Sequence, residues 1–186
     1  MPAAVDTTET QTEPTVATVV NQSGQSNIVL ICEHASKHIP SAFGDLGLTK
    51  AAKTSHAAWD IGAQGLAKKL SATLDAVLIL NTVSRLVYDC NRAPVAPDAM
   101  PSQSEKIAVP GNISLSQEQK LHRIKTVYDP FHSSVQAVLE SAGPDAILVT
   151  VHSFTSVYNG QQRATEIGLI HHNDDRLAKQ MVDISV

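Results

Sequence analysis

Histidine offers this chain its richest chemistry. His34 lies in Cys32-Glu33-His34-Ala35-Ser36 and His152 in Val151-His152-Ser153-Phe154. Neutral imidazole suits zinc, and a catalytic zinc takes about three protein ligands while one position stays open. A third ligand is on offer in His56-Ala57-Ala58-Trp59-Asp60, which carries an imidazole and a carboxylate four residues apart. Asp60 also fits the plainer role of a charge or cap at a helix N-terminus. A lone histidine behind a strand is more often a satisfied structural residue than a ligand. Two of them on similar strand ends bring metal ligation level with that reading.

A second constellation is Ser84-Arg85-Leu86-Val87-Tyr88-Asp89-Cys90-Asn91-Arg92. A guanidinium meets a carboxylate bidentately and keeps its charge at every working pH, so Arg85 or Arg92 with Asn91 could clamp an acidic substrate. Pairing of Asp89 with Arg85 or Arg92 to hold the loop is the simpler alternative. Two nucleophile readings are weaker. Cys32 has no identifiable orienting partner, and Ser153 lacks the glycine-flanked strand-to-helix elbow of a serine hydrolase.

These residues need elements to carry them. Ile28-Val29-Leu30-Ile31 and Ala146-Ile147-Leu148-Val149 read as buried strands ending just before the two histidines, and open α/β sheets bind ligands at the carboxyl ends of strands. From Asp60 to Leu74, apolar residues at Ala63, Leu66, Ala67, Leu70 and Leu74 have helical spacing and feed a strand over Ala76–Leu80. Residues 93–111, with four prolines, read as a long surface loop. Ser116 and Gln119 form a capping-box pattern opening a helix through Leu121, Ile124, Val127, Phe131, Val135, Val138 and Leu139, which Pro130 should kink or split. Glu166–Ile170 is expected as a fourth strand. Strand and helix in alternation predict a mainly parallel sheet covered by helices.

The chain's 186 residues, 42% hydrophobic and 17% charged, match one globular domain rather than a disordered one. A net charge of −4 without a basic stripe argues against nucleic acid or an anionic membrane as partner and leaves small molecules. Two cysteines make no disulfide framework, and no apolar run approaches the ~18 residues of a membrane span, so the expected compartment is the cytoplasm. Residues 1–26, rich in Thr, Gln, Glu and Ser, are expected to be a disordered tail, with the folded domain over 27–186. The amphipathic pattern from Asp174 to Val182 predicts a helix, and because the chain stops soon after it the domain is read as truncated at its C-terminus.

Five blocks taken together are specific: Cys32-Glu33-His34-Ala35-Ser36 with Ile39-Pro40, His56 through Trp59-Asp60-Ile61-Gly62-Ala63, Ser84-Arg85-Leu86 with Asp89-Cys90-Asn91-Arg92, Tyr128-Asp129-Pro130-Phe131-His132, and Val151-His152-Ser153-Phe154-Thr155. In this order, over about residues 28–176, the chain resembles the N-formylglutamate amidohydrolase family, itself similar to zinc carboxypeptidases and aspartoacylase-like deacylases. The resemblance implies a three-layer α/β/α fold around a mixed, mostly parallel sheet. It also implies one zinc ion and release of an acyl group such as formate from an N-acylated acidic amino acid.

Carried over by position, it implies His34, Asp60 and His152 as metal ligands, with Asp60 preferred to His56. Asn91 and Arg92 correspond to the pair that grips the substrate carboxylate, with Arg163 as a helper, and Tyr128 and His132 are expected to bind substrate. Arg85 and Arg92 are the expected cationic partners of the tetrahedral intermediate. The family's Glu-Ile-Arg-Asn block, whose glutamate resembles the general acid, does not occur before Val186, and neither Glu33 nor Glu166 matches it. The competing reading is a non-catalytic binding protein for an acidic small molecule.

Overall fold

The structure, a computed structural model, describes residues 15–184. They divide after Phe154 into a larger and a smaller compact unit. In chain order the larger unit holds strand β1 (Ala17–Val20), strand β2 (Ile28–Cys32), helix α1 (Lys50–Thr54), helix α2 (Ala63–Leu74) and strand β3 (Val77–Asn81). The short hairpin of β4 (Gln103–Ser104) and β5 (Ile107–Ala108) follows, then helix α3 (Gln117–Arg123), helix α4 (Asp129–Ala142) and strand β6 (Ile147–Thr150).

The sheet order is β1-β3-β2-β6. Pairing is parallel between β2 and β3 and between β2 and β6, and antiparallel between β1 and β3. The central strands β2 and β3 are buried over four of their five residues, which is why they read as continuous apolar runs rather than alternating ones. Their side chains still divide by parity. Val29, Ile31 and Ile79 join Val127, Phe131 and Val135 in one core, while Leu30, Cys32, Leu78 and Leu80 meet Ala63 and Ala67 in the other. Helix α2 covers one face and α4 the other, giving the three-layer α/β/α fold with a mixed, mostly parallel sheet.

Helix α2 docks through small residues. Ala63, Ala67 and Ser71 are buried, and Ser71 Oγ donates to Ala76 O at 2.7 Å, tying the helix end to β3. Leu66 and Leu74, expected on the buried stripe, are 51% and 41% exposed. The alanine face permits the closer approach to the sheet, and the two leucines turn outward. The helix also begins later than expected, because Gly62 at φ +86° occupies its N-cap in a left-handed conformation that favours glycine.

The capping box on Ser116 and Gln119 forms in full. Pro130 lies in the first turn of α4, and the five residues before it, Ile124–Tyr128, wind as a π-helical segment between α3 and α4. Opening the turn there accommodates a residue with no N–H to give.

Three expectations need correction. The polar tail predicted over 1–26 falls partly outside the described residues, but Ala17–Val20 is an edge strand on β3, because the run Val16-Ala17-Thr18-Val19-Val20 is β-forming despite its polar surroundings. The stretch 93–111 carries the β4–β5 hairpin and buries Ala99 and Val109, so it is partly anchored rather than a bare surface loop. Glu166–Ile170 is not a strand. It has no pairing partner among the described residues, and Ile167 and Ile170 are exposed.

The smaller unit, taken by itself, contains the hairpin of β7 (Val157–Tyr158) and β8 (Gln161–Gln162) and the predicted C-terminal helix as α5 (Arg176–Ile184). No helix among the described residues is long and apolar enough to cross a membrane.

Candidate metal centre

The β2–β6 register, Ile31 opposite Thr150, puts the two histidine-bearing strand ends side by side. Val151 N–H donates to Ile31 O at 2.8 Å just before the strands part. Asp60 reaches the same point from the turn that precedes α2. Its backbone N–H donates to His34 O at 3.0 Å, and because Gly62 supplies the cap of α2, the Asp60 carboxylate makes no cap and turns into the site.

One carboxylate oxygen, Asp60 Oδ2, is the focus. His152 Nδ1 lies 2.9 Å from it, His34 Nδ1 3.3 Å and the Ser153 backbone N–H nitrogen 3.3 Å. Ligand atoms about 2.0–2.2 Å from a tetrahedral zinc stand roughly 3.4 Å apart, close to these spacings. His34, Asp60 and His152 thus form a set that can hold a metal ion, with His34 and Asp60 buried and His152 half-buried.

His34 has a second tether. Its Nε2 is 2.7 Å from Asp89 Oδ1, so both ring nitrogens face carboxylate oxygens. Burial disfavours the imidazolium, but the hydrogen bonds to Asp60 and Asp89 outweigh it and raise the pKa of His34. Arg85 spans the two acids, at 3.3 Å to Asp60 Oδ1 and 2.7 Å to Asp89 Oδ2. Burial works against both carboxylates as anions. Hydrogen bonds from His152 and His34 and the Arg85 charge still hold Asp60 far below the usual carboxylate range, and His34 with Arg85 draws Asp89 down to about 2.

Other expected site residues sit at varying removes. Asn91 Nδ2 is 3.5 Å from His152 Nε2, at the exposed rim. Arg92 pairs with exposed Asp98 at 2.7 Å and donates to Asn91 O at 2.9 Å. His132 donates through Nε2 to Cys90 O at 3.0 Å and stacks on Tyr128 at 4.1 Å, so this pair braces the 89–92 loop from behind. His56 bonds Glu105, in the β4–β5 turn, and is not among the three converging ligands. Arg163 belongs to the smaller unit, where its guanidinium lies over Tyr158 at 4.7 Å.

Of the two partners the sequence offers Asp89, Arg85 forms the ion pair, while Arg92 pairs with Asp98 instead. What residue types did not disclose is that the same Asp89 also anchors His34. Glu33, weighed in the sequence only as a general acid, stands beside the second histidine. It is 5% exposed, and its Oε2 lies 3.4 Å from His152 Nε2. Burial pushes the Cys32 thiol up to about 12 and raises Cys90 as well, so neither supplies a thiolate near neutral pH.

Comparison with curated proteins gives no match. Among solved structures, a gene product of Agrobacterium tumefaciens is 43% identical with a TM-score of 0.88, over 91% of this chain and 69% of its own. An N-formylglutamate amidohydrolase from Ralstonia eutropha JMP134 shares the fold at 19% identity and a TM-score of 0.50, over 69% of this chain and 52% of its own. The sequence model of N-formylglutamate amidohydrolases matches residues 26–185, which span every element carrying the converging ligands, and the chain therefore belongs to the N-formylglutamate amidohydrolase family.

Proposed function

We infer that the protein is a zinc-dependent amidohydrolase that cleaves the acyl group from an N-acylated acidic amino acid such as N-formylglutamate, giving formate and the free amino acid. The observation that carries the reading is the convergence of His34 Nδ1 and His152 Nδ1 on Asp60 Oδ2. A buried carboxylate oxygen on Glu33, without a hydrogen-bond partner among the described residues, beside this donor set also favours a cation there.

A divalent metal bound there would polarise the acyl carbonyl and lower the pKa of water from about 15.7 toward roughly 7. The protein's own residues do the remainder. The histidine hydrogen bonds, with the Arg85 charge, keep Asp60 and Asp89 ionised, so Asp60 stays available as a ligand and Asp89 as an anchor. Arg92 and Asn91 take the substrate carboxylate. Arg92 first leaves Asp98, an exposed pair of the kind worth only about 0–1 kcal/mol, so the exchange costs little. His132 and Tyr128 fix the loop that presents both groups. A cytoplasmic enzyme acting on a small acidic metabolite fits the modest net charge of −4.

Metal analysis of the purified chain should find near-stoichiometric zinc, and a coupled formate assay should detect turnover of N-formylglutamate. His152→Ala should lose both. Full zinc content in that variant sinks the ligand assignment. Arginine-dependent affinity for an acidic ligand without zinc supports the binding-protein reading instead.

A further inference from the structure

The two imidazoles are built alike. Each turns Nδ1 toward Asp60 Oδ2, and each turns Nε2 toward a further carboxylate, Asp89 at 2.7 Å for His34 and Glu33 at 3.4 Å for His152. They differ in completion. The Asp89 oxygens are engaged by His34, Arg85 and the Asn91 backbone N–H, whereas Glu33 Oε2 is buried and accepts no hydrogen bond from the described residues. An unpaired buried carboxylate oxygen is costly, and a protein that keeps one next to a ligand set has a use for it.

With Nδ1 of His152 bonded to Asp60, Nε2 faces Asn91 Nδ2 at 3.5 Å, a donor, and Nε2 is then the acceptor. If Nδ1 instead faces a metal, the ring proton resides on Nε2. That N–H meets a donor at Asn91 and an acceptor at Glu33.

Resting on the metal-centre reading, we propose that Glu33 is a positioning residue for His152, accepting a hydrogen bond from its Nε2–H and thereby fixing Nδ1 as the ligand atom. Ligating histidines commonly donate their second nitrogen to such an acceptor, and loss of that acceptor weakens metal binding about 10–100-fold. The metal-free protein then carries an unsatisfied carboxylate that metal binding satisfies.

The test uses the full chain and zinc itself. Glu33→Gln keeps the shape and removes the charge. It should raise the melting temperature of chelated protein while weakening zinc about 10–100-fold in a chromophoric-chelator competition. Nitrogen-15 NMR of zinc-loaded wild type, which needs no variant, should show His152 protonated at Nε2 and unprotonated at Nδ1. Protonation at Nδ1, or wild-type zinc affinity in Glu33→Gln, overturns the role of Glu33 while the metal centre stands. A wild-type chain that binds no zinc overturns the metal reading and this proposal with it.

Discussion

Asp89 shows how much a single side chain outside the ligand set can decide. It fixes the His34 ring through Nε2 and, at about pKa 2, remains charged across all working pH values. Asp89→Asn should weaken zinc about 10–100-fold in the same chelator competition, with the fold retained by circular dichroism. The titrations make a signed prediction for the metal-free protein. A depressed carboxylate stabilises fully above its ordinary 3.8 and loses that contribution as pH falls through its folded value. His34, being raised, stabilises fully below its ordinary 6.5 and loses its contribution as pH rises through the higher folded value. Urea midpoints of chelated protein should therefore be greatest between about pH 4 and 6.5 from these groups. Zinc affinity should run the other way above that window, rising with pH as the His34 proton ceases to compete. Midpoints that climb together with zinc affinity contradict the pairing of His34 with its two carboxylates.

Single elements explain why the site forms. Gly62 stops α2 from starting at Asp60, and nothing crowds a Cβ built there, so Gly62→Ala should cost only the left-handed backbone penalty, about 1–2 kcal/mol in urea unfolding. Because the strain lies two residues from Asp60, a proposed ligand, zinc affinity should fall as well. Helix α2 supplies an internal contrast. Leu66→Ala, on the exposed side, should change stability by no more than about 0.5 kcal/mol, whereas Leu30→Ala in β2 should cost roughly 2–5 kcal/mol. Equal costs for the two would refute the alanine-faced docking.

Much of this was legible beforehand. Runs of β-branched residues announced β2 and the strand before His152, although that strand, read as buried, lies at the end of the sheet order and alternates half-buried and exposed residues, with Leu148 47% exposed; the capping box fixed the start of α3. The face of α2 was not legible, because alanine and leucine both count as apolar in a periodicity and only packing distance separates them. Nor was β1, four residues whose strand character is drowned by polar neighbours. Among site residues, the two histidines were visible from their strand ends. The doubling of carboxylates behind them was not, since the links from Asp89 to His34 and from Glu33 to His152 depend on tertiary register.

At the scale of the whole molecule, the site draws its ligands from residues spread across more than half of the 186-residue chain. Zinc binding folded but not unfolded protein adds stability by mass action, about 2.7 kcal/mol at a free concentration of 100 Kd. For a protein of this size that corresponds to roughly 5–10 °C in melting temperature. A chelator should remove that increment from wild type and leave His152→Ala unmoved; a chelator shift in the variant argues for zinc bound elsewhere. The chain spans 69% of the Agrobacterium gene product and 52% of the Ralstonia enzyme. Assays of turnover and of metal content thus address separate properties, and the three residues that can hold a metal all lie in the larger unit.

The parallel pairing of β2 with β6 has a kinetic consequence. The strands are joined only through a long excursion over α2, β3, α3 and α4, and such non-local contacts form late in folding. A slip of one residue in that pairing would send His152 to the opposite face of the sheet. The ligand set proposed above is therefore complete only once β6 has docked in its proper alignment, so a metal held there would report on that register.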